Sequence, residues 1–204
     1  MGPTFFVTAT DTDAGKTMTC AALMQQFSHA HYWKPVQTGS DRDRNIVQQL
    51  SGGREEQFHD GLIFSQPLSP HRAAELDGLE ISLQVLDEMF VRVRNTTGQE
   101  ILFIEGAGGL MVPLNRNSLW TGWLAAKELS IILVCRTGLG TINHSLLSIT
   151  AIRQCGLDLA GLVFFGPPNP DNVQTILDFA RVPLLGTVQV DAESSLTASK
   201  IELP

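Results

Sequence analysis

The chain is poor in cysteine and has no excess of positive charge. Its 204 residues include only Cys20, Cys135 and Cys155, an odd number without the paired spacing of a metal site. Thiols in a reducing compartment are therefore a better interpretation than disulfides. Lysine and arginine number 14 against 21 acidic residues, which gives a formal net charge of −7. This balance argues against nucleic acid or an anionic membrane surface as the main partner, so a bound phosphate must be held by local geometry.

Long apolar runs are also absent. No stretch approaches the roughly 18–20 residues of a membrane-spanning helix. The N-terminus runs into Thr4-Phe5-Phe6-Val7 without a basic segment or a signal-type apolar core. No linker or repeat divides the sequence, and 43% hydrophobic with 17% charged residues suits an ordinary core. We expect residues 1–204 to form a single domain that is soluble and cytoplasmic.

Short apolar runs alternate with stretches of helical periodicity. The predicted strands are Thr4–Thr8, His31–Lys34, Ile101–Ile104, Ile131–Cys135, Gly161–Phe165 and Leu184–Val188. The predicted helices are Lys16–Phe27, Leu83–Val93, Leu119–Glu128, Thr141–Gln154 and Asn172–Phe179. Several strands are apolar throughout, which is typical of strands buried on both faces of a parallel sheet. The alternation predicts an α/β fold with a doubly wound, mostly parallel sheet.

Two further patterns bear on this fold. In the fourth predicted helix, Ile142, Leu146, Ile149 and Ile152 lie near one face and form a core-facing stripe. The least regular region is Gln37–Pro70, which is expected to hold a mobile substrate loop. Ligands of doubly wound sheets bind at the carboxyl ends of the strands, so the chemistry is expected in those loops.

The strongest motif follows the first predicted strand and reads Ala9-Thr10-Asp11-Thr12-Asp13-Ala14-Gly15-Lys16-Thr17. A turn here would aim backbone N–H groups at a phosphate, and the dipole of the following helix would favour the anion. The Lys16 ammonium would neutralise the β- and γ-phosphates, and the Thr17 hydroxyl would bind Mg²⁺. The motif predicts a nucleotide site that consists of Thr12, Asp13, Ala14, Gly15, Lys16, Thr17 and Met18.

The match to the common P-loop pattern is imperfect. That pattern has a glycine where Thr10 stands, with four residues between this glycine and the Gly-Lys-Thr group. The alternative is an ordinary helix-capping turn that contains Gly15. The order of strand, Gly-Lys-Thr and helix favours the phosphate loop.

A carboxylate ends another apolar strand. Ile101-Leu102-Phe103-Ile104 leads directly into Glu105-Gly106-Ala107-Gly108-Gly109. Four apolar residues before an acid resemble a Walker B strand, whose carboxylate holds Mg²⁺ directly or through water. The glycines would let the backbone approach a ligand closely. An acid at a strand end is otherwise more often a helix cap or a surface charge, but a phosphate loop in the same chain favours the metal role.

Five segments, in chain order, resemble those of the dethiobiotin synthetase family. They are the phosphate loop, Tyr32–Ser40 with its Lys-Pro-Val group, Ser69-Pro70-His71, Glu105–Gly109 and Leu139–His144. The family's phosphate loop has five residues between its first glycine and Gly-Lys-Thr, and Ala9 occupies that glycine's position. Any one segment would be weak, whereas five in order from about Thr4 to His144 are highly specific.

The resemblance implies an ATP-dependent cyclo-ligase of biotin biosynthesis with a P-loop NTPase-like domain. Its small-molecule substrates would be 7,8-diaminononanoate, CO₂ and a nucleoside triphosphate, with ATP as the default and Mg²⁺ as the cofactor. One amine takes up CO₂ as a carbamate, the γ-phosphate transfers to that carbamate, and the second amine closes a cyclic urea. The chemistry needs alignment and charge neutralisation more than covalent help from the protein.

The resemblance also implies roles for individual residues. Lys16 and Lys34 would be the catalytic cations on the γ-phosphate and the carbamate. Thr12 and Thr38 could donate hydrogen bonds to phosphate and carbamate oxygens. The alternatives are a solvated lysine at a strand end for Lys34 and simple backbone capping for the two threonines.

The implied magnesium ligands are Thr17, Glu105 and an acid of the Asp41–Asp43 loop. Asp43 is preferred because it lies closer to the apolar pair Ile46-Val47, where a helix could begin. Asp41 stays open as an alternative.

Two segments would contact the carboxylated substrate. The acid–glycine loop would contribute Glu105, Gly106, Ala107 and Gly108. A second segment, which consists of Gly140, Thr141, Ile142 and Asn143, starts a predicted helix whose N–H groups suit the distal carboxylate. In the family this segment comes from the partner subunit, so a homodimer with its site at the interface is implied. Alternatively, Asn143 merely caps the helix. His71 and His144 match family positions but are better interpreted as structural residues than as bases.

The sequence departs from the family in base recognition. The family usually ends the strand equivalent to Gly161–Phe165 with an asparagine that reads adenine, and Phe165 stands there. A ring could stack on a base but cannot offer the paired hydrogen bonds of an amide. The segment Thr187–Val190 also lacks the usual proline. We therefore expect Phe165 to contact the nucleotide and the base preference to be relaxed or altered, so that other triphosphates are accepted.

Other functions fit less well. A nucleotide switch of the partition-ATPase type carries an extra lysine early in its phosphate loop, and Thr10–Asp13 contains none. A relative of the cobyrinate amidases would need a glutaminase domain, for which the chain has no room. A degenerate relative that binds nucleotide without turnover stays open because of Ala9 and Phe165.

Overall fold

A central eight-stranded sheet organises the chain, which we describe from a computed structural model for residues 2–40, 42–191, 193 and 195–204. The strands are β1 (Thr4–Ala9), β2 (His31–Trp33), β3 (Val36–Thr38), β4 (Phe58–His59), β5 (Leu62–Phe64), β6 (Leu102–Glu105), β7 (Pro113–Asn115), β8 (Ser118–Leu119), β9 (Ser130–Arg136), β10 (Leu159–Phe165), β11 (Leu184–Val190) and β12 (Leu196–Ala198). The helices are α1 (Lys16–Gln26), α2 (Asp43–Ser51), α3 (Pro70–Leu76), α4 (Leu83–Thr97), α5 (Trp120–Lys127), α6 (Thr141–Gln154) and α7 (Pro170–Ala180).

The order of the strands places β1 near the middle of the sheet. Across the sheet the order is β12-β11-β10-β9-β1-β6-β2-β4, and every pair is parallel except β11 with β12. The chain fills the β6–β2–β4 side of β1 first and then crosses to β9 on the other side. The loops after β1 and β6 therefore lie at a topological switch point, where doubly wound sheets bind their ligands.

Apolar side chains cover both faces of the sheet. Phe6 and Ile104 belong to one core cluster, whereas Val7 and Phe103 belong to the other. Successive side chains of a strand point to opposite faces, so each central strand contributes to both clusters. Burial on both faces requires nearly continuous apolar sequence, which explains the runs that lack alternation.

The predicted fold class is confirmed, and each predicted strand and helix has a counterpart in the structure. The stripe on α6 is also confirmed: Ile149 and Ile152 are buried, and Ile142 and Leu146 pack against the same core. The largest boundary difference is in α4, which continues to Thr97. Among the described residues, none of the helices combines the length and the apolar character needed to cross a bilayer.

The segment Gln37–Pro70 is more regular than its sequence indicates. Its described residues contain α2, β4, β5 and most of β3. Helix α2 spans only nine residues and buries only Val47, so its apolar face is too short to stand out in the sequence. The strands have at most three residues each, which is too short for a pattern of alternation to stand out.

A hydrogen-bonded chain of two histidines and a glutamate ties β2 to β4. His31 Nδ1 lies 3.0 Å from His59 Nε2, and His31 Nε2 lies 2.7 Å from a carboxylate oxygen of Glu100. Burial, with smaller contributions from His31 and Arg44, lowers the pKa of His59 from 6.5 to about 4. The folded protein therefore keeps His59 neutral over a pH range in which an unfolded chain would protonate it.

We predict that His59 makes the free energy of unfolding decrease as the pH falls from 6.5 to about 4. In this range the unfolded state binds a proton that the folded state excludes, so acid favours unfolding. His59→Gln keeps a hydrogen-bonding side chain without a titrating group and should weaken this pH dependence. His29→Gln, at an exposed histidine, is the control. Urea unfolding at pH of about 7 and about 5 measures the effect; equal pH dependence in both variants would contradict the prediction.

Candidate active site

The loop between β1 and α1 depends on Gly15. Asp13 and Gly15 have φ values of +54° and +94°, and Gly15 is the residue at which α1 begins to turn. A Cβ atom at Gly15 would lie 2.1 Å from the ring of Phe165, so any other residue would be strained and would also clash. Within the described residues no side chain caps the first N–H groups of α1. These groups are left for another acceptor, such as an anion.

Glu105, the last residue of β6, is fully buried and accepts hydrogen bonds from three side chains. Thr17 Oγ1 and Lys34 Nζ donate to Oε1 over 2.9 and 2.8 Å. The Tyr32 hydroxyl donates to Oε2 over 2.8 Å. Lys34 also forms an ion pair of 2.6 Å with Asp43, the first residue of α2. The carboxyl ends of β1, β2 and β6 are therefore joined through one carboxylate.

The two lysines of the site have different electrostatic environments. Burial dominates at Lys16 and lowers its pKa, although Glu105 partly offsets the effect. At Lys34 burial acts in the same direction, but Glu105 and Asp43 outweigh it, so the pKa of Lys34 is raised. Lys34 therefore keeps its positive charge. Lys16 Nζ donates to the carbonyl of Asp11 over 3.1 Å and has no carboxylate partner among the described residues, so an incoming anion would satisfy it.

A cavity of about 770 Å³ adjoins these groups, which is within the usual size of a small-molecule site. It is lined by Thr12, Asp13, Gly15, Lys16, Thr17, Met18, Lys34, Val36, Gln37, Thr38, Asp43, Pro67, Leu68, Ser69, Pro70, Glu105, Ala107, Gly108, Val112 and Phe165. The structure thus gathers most of the predicted nucleotide, substrate and metal residues around one space. Their roles stay predictions.

Ala14 and Gly106 are two predicted residues of the loops that do not line the cavity. Ala14 is buried beneath the loop and does not line the cavity. Gly106 is also outside the lining, but its carbonyl accepts a hydrogen bond from Lys34 over 3.1 Å. Asp41, the alternative to Asp43, lies outside the described residues.

The segment Gly140–Asn143 does not reach the cavity of its own protomer. Gly140 and Asn143 are exposed and Ile142 is half-buried. Thr141 is buried, and its hydroxyl donates to the carbonyl of Arg136 over 2.5 Å. The preceding residue, Leu139, is fully exposed. A role in substrate binding would therefore require a second subunit.

Neither predicted structural histidine lines the cavity. His144 is exposed, whereas His71 is half-buried at the start of α3. His71 Nδ1 is buried and has no hydrogen-bond partner in the described part of the chain.

Sequence reasoning missed three residues of the site. Tyr32 donates to Glu105, the Gln37 side chain accepts from the backbone N–H of Asp43 over 3.2 Å, and Arg136 donates to the carbonyl of Thr12 over 2.6 Å. Arg136 had a usable signal, because it is a charged residue at the carboxyl end of a buried strand. Tyr32 had none, since Glu105 is distant in sequence. Gln37 is only six residues from Asp43, but no sequence pattern shows how the chain turns between them.

The oxygen donors of the site suit Mg²⁺. The Thr17 hydroxyl and the carboxylates of Glu105 and Asp43 all line the cavity, and Mg²⁺ typically takes one or two carboxylates together with phosphate and water oxygens. In the described part of the chain no three His, Cys, Asp or Glu side chains form a ligand set, so phosphate oxygens would have to complete it. The Lys34 ammonium lies against both carboxylates, which shows that this position stabilises a cation.

We predict that Lys34→Met destabilises the protein by about 3–5 kcal/mol, because it leaves the buried Glu105 carboxylate without its ammonium partner. Adding Mg²⁺ with ADP should stabilise this variant more than the parent, since the metal restores positive charge. Lys127→Met, which breaks the surface pair with Asp87, is the control and should cost less than about 1 kcal/mol. Denaturant unfolding measures both; equal losses in the two variants would contradict the prediction.

Comparison with known families places most of the chain in one match. The family described as an AAA domain matches residues 3–197. The chain is 43% identical over 189 residues to an ATP-dependent dethiobiotin synthetase of Rhodopseudomonas palustris (strain BisB18). The match covers 91% of this chain and 87% of the relative. It is 42% identical to the enzyme of the same name from Novosphingobium aromaticivorans, over 89% of this chain and 85% of the relative. A third such relative, from Leptospira interrogans, is 37% identical, and the match covers 94% of this chain and 88% of the relative.

Solved structures share the fold at much lower identity. The cell division ATPase MinD of Pyrococcus furiosus has a TM-score of 0.60 at 15% identity and covers 96% of this chain and 87% of its own. A ParA family ATPase of Chlorobium tepidum has a TM-score of 0.60 at 8% identity, and the match covers 94% of this chain and 85% of the ATPase chain. Likeness at these identities supports the P-loop NTPase-like fold alone.

Proposed function

The chain belongs to the ATP-dependent dethiobiotin synthetases, ligases of biotin biosynthesis, and from this premise we propose that it closes the cyclic urea of dethiobiotin. The membership predicted from five sequence segments is confirmed. The proposed reaction joins 7,8-diaminononanoate and CO₂ at the expense of a nucleoside triphosphate and releases NDP and phosphate. One observation carries the proposal: the phosphate loop, Lys34 and Glu105 line the same cavity.

In the proposed complex the phosphate loop binds the triphosphate. The first N–H groups of α1 and the Lys16 ammonium contact the β- and γ-phosphates. Lys16 suits this role because it is buried, has a lowered pKa and lacks a carboxylate partner among the described residues. Met18 and Thr12 line the same part of the cavity.

Lys34 holds the carbamate. Its raised pKa keeps it charged, so it stabilises anions and does not accept protons. A carbamate oxygen attacks the γ-phosphorus, the bond to the departing NDP breaks, and the second amine then displaces phosphate from the carbamoyl carbon. Charge moves between carbamate and phosphate oxygens during both steps, and a cation held close to them lowers the barrier. Thr38 and the loop Glu105–Gly108 lie close enough to the cavity to orient the carbamate.

Thr17, Asp43 and Glu105 would hold Mg²⁺. Bound there, the metal would neutralise phosphate charge and orient the transferred group. The protein supplies oxygen donors from three different elements, α1, α2 and β6, so metal binding depends on the packing between them.

We also propose that the enzyme is a homodimer. The segment Gly140–Asn143 lies outside the cavity of its own protomer, and its N–H groups at the start of α6 suit the distal carboxylate of the substrate. Leu139 and Leu147 expose apolar surface beside it, which a second copy would cover. Each site would then combine residues of both subunits.

Phosphate release tests the proposed reaction. We expect release that requires both 7,8-diaminononanoate and bicarbonate, and a loss of about 10²–10³ in kcat for Lys16→Ala, on the scale of one preorganised donor. Lys200→Ala, at an exposed lysine, is the control. Release that ignores both substrates would instead favour a nucleotide-binding switch or a degenerate relative without synthetase turnover.

The same assay distinguishes a site within one subunit from a shared one. Mixing Lys16→Ala and Asn143→Asp subunits should restore about a quarter of the parental activity, because half of the mixed population carries one intact site per dimer. Additive residual activities with no restoration would contradict the shared site.

We predict that kcat/KM values for ATP, GTP and CTP lie within about tenfold of each other. Phe165 lines the cavity and packs on Gly15, so it offers a base a ring to stack on but no hydrogen-bonding pair. Phe165→Asn should raise the preference for ATP, whereas Phe165→Leu should weaken all three nucleotides alike. A preference for ATP above about 100-fold in the parent would contradict the prediction.

A further inference from the structure

Tyr32 reaches the site from inside the sheet. It lies on β2, is fully buried, and pairs with Phe58 on one neighbouring strand and Phe103 on the other. Its ring also contacts that of Phe58, with centroids 6.0 Å apart. A fully buried ring that packs against another ring has little freedom, so the position of its hydroxyl is fixed by the packing around it.

That hydroxyl donates to the second oxygen of the Glu105 carboxylate. Thr17 and Lys34 both donate to Oε1, whereas Tyr32 donates to Oε2 over 2.8 Å. A carboxylate has about four acceptor positions; the thiol of Cys20 also contacts Glu105, but it is a weak donor that a metal would displace more readily than the other three. The hydroxyl and the two Oε1 donors hold opposite ends of the carboxylate and prevent its rotation.

We propose that Tyr32 is a positioning residue that fixes the orientation in which Glu105 binds Mg²⁺. The inference rests on the proposed metal role of Glu105. Without the hydroxyl, only Oε1 would be held, and the carboxylate could turn both oxygens toward Lys34 and Thr17. Those donors would then compete with the metal. Partners that orient a metal ligand typically contribute 10–100-fold to affinity.

The phenol remains a hydrogen-bond donor throughout. A phenolic hydroxyl is protonated at neutral pH. A protonated hydroxyl next to a carboxylate can only donate to it, so the direction of the hydrogen bond is defined. The contact therefore restrains the carboxylate without adding a charge that would repel a cation.

Calorimetric titration of Mg²⁺ into the full-length protein with saturating ADP tests the proposal. For Tyr32→Phe we expect the Mg²⁺ dissociation constant to rise about 10-fold to 100-fold. The affinity for ADP without metal should stay within about twofold, because it does not depend on the plane of the carboxylate. Thr121→Val, which removes a buried hydroxyl of α5 outside the cavity lining, should leave both values unchanged.

A spectroscopic measurement avoids the possibility that Tyr32→Phe fails to fold. Tyr32 is the single tyrosine of the sequence, so protein labelled with [ζ-¹³C]tyrosine gives one signal from the atom that carries the hydroxyl. We expect Mg²⁺ to shift this signal in the ADP complex of the parent, and to leave it in place in the ADP complex of Glu105→Gln.

The outcomes separate this inference from the proposed function. An unchanged Mg²⁺ dissociation constant in folded Tyr32→Phe, or a tyrosine signal that Mg²⁺ does not move, overturns the role of Tyr32. Equal weakening of ADP binding with and without Mg²⁺ also overturns it, because the effect would then lie in the phosphate loop. If the parent itself shows no Mg²⁺-dependent ADP binding, the metal role of Glu105 fails instead.

Discussion

The site depends on a buried carboxylate that is held between cationic and neutral donors. A charge with no exposed surface, such as that of Glu105, is costly to bury unless it is paired and hydrogen-bonded. Lys34, Thr17 and Tyr32 meet this requirement, and they come from two parts of the chain, the start of α1 and the segment of β2. The cost of leaving the carboxylate unpaired thus forces β2, β6 and the start of α1 into one arrangement. Asp43 extends this arrangement to α2 through Lys34.

Local electrostatics, and not the net charge of −7, prepare the chain for polyanionic substrates. Lys34 is neutralised by two carboxylates, whereas Lys16 has only a backbone carbonyl as a partner among the described residues. The first lysine is therefore part of the framework, and the second is available to an arriving phosphate. Backbone N–H groups at Gly15 add to this positive potential without any net charge.

The fold and the chemistry have separate origins. The sheet with a phosphate loop after β1 resembles MinD and ParA ATPases at identities of 15% and 8%, so it does not specify a reaction. The Lys34–Glu105–Asp43 group, a buried lysine held by two carboxylates, is a local feature of the cavity. Phe165 against Gly15 is a further local feature, because it places an aromatic ring in the lining of the same cavity.

The sequence by itself determined the fold class, the central strands, the phosphate loop and the carboxylate of Glu105. These features have local causes: apolar runs fix buried strands, and Gly15-Lys16 fixes a turn into a helix. Only the tertiary structure decided that Tyr32 contacts Glu105, that α2 forms between short strands, and that Gly140–Asn143 lies outside its own cavity. The contact between Tyr32 and Glu105 depends on the pairing of β2 with β6, which lie far apart in sequence. Residues that are distant along the chain have no shared periodicity, so no pattern in the sequence records their contact.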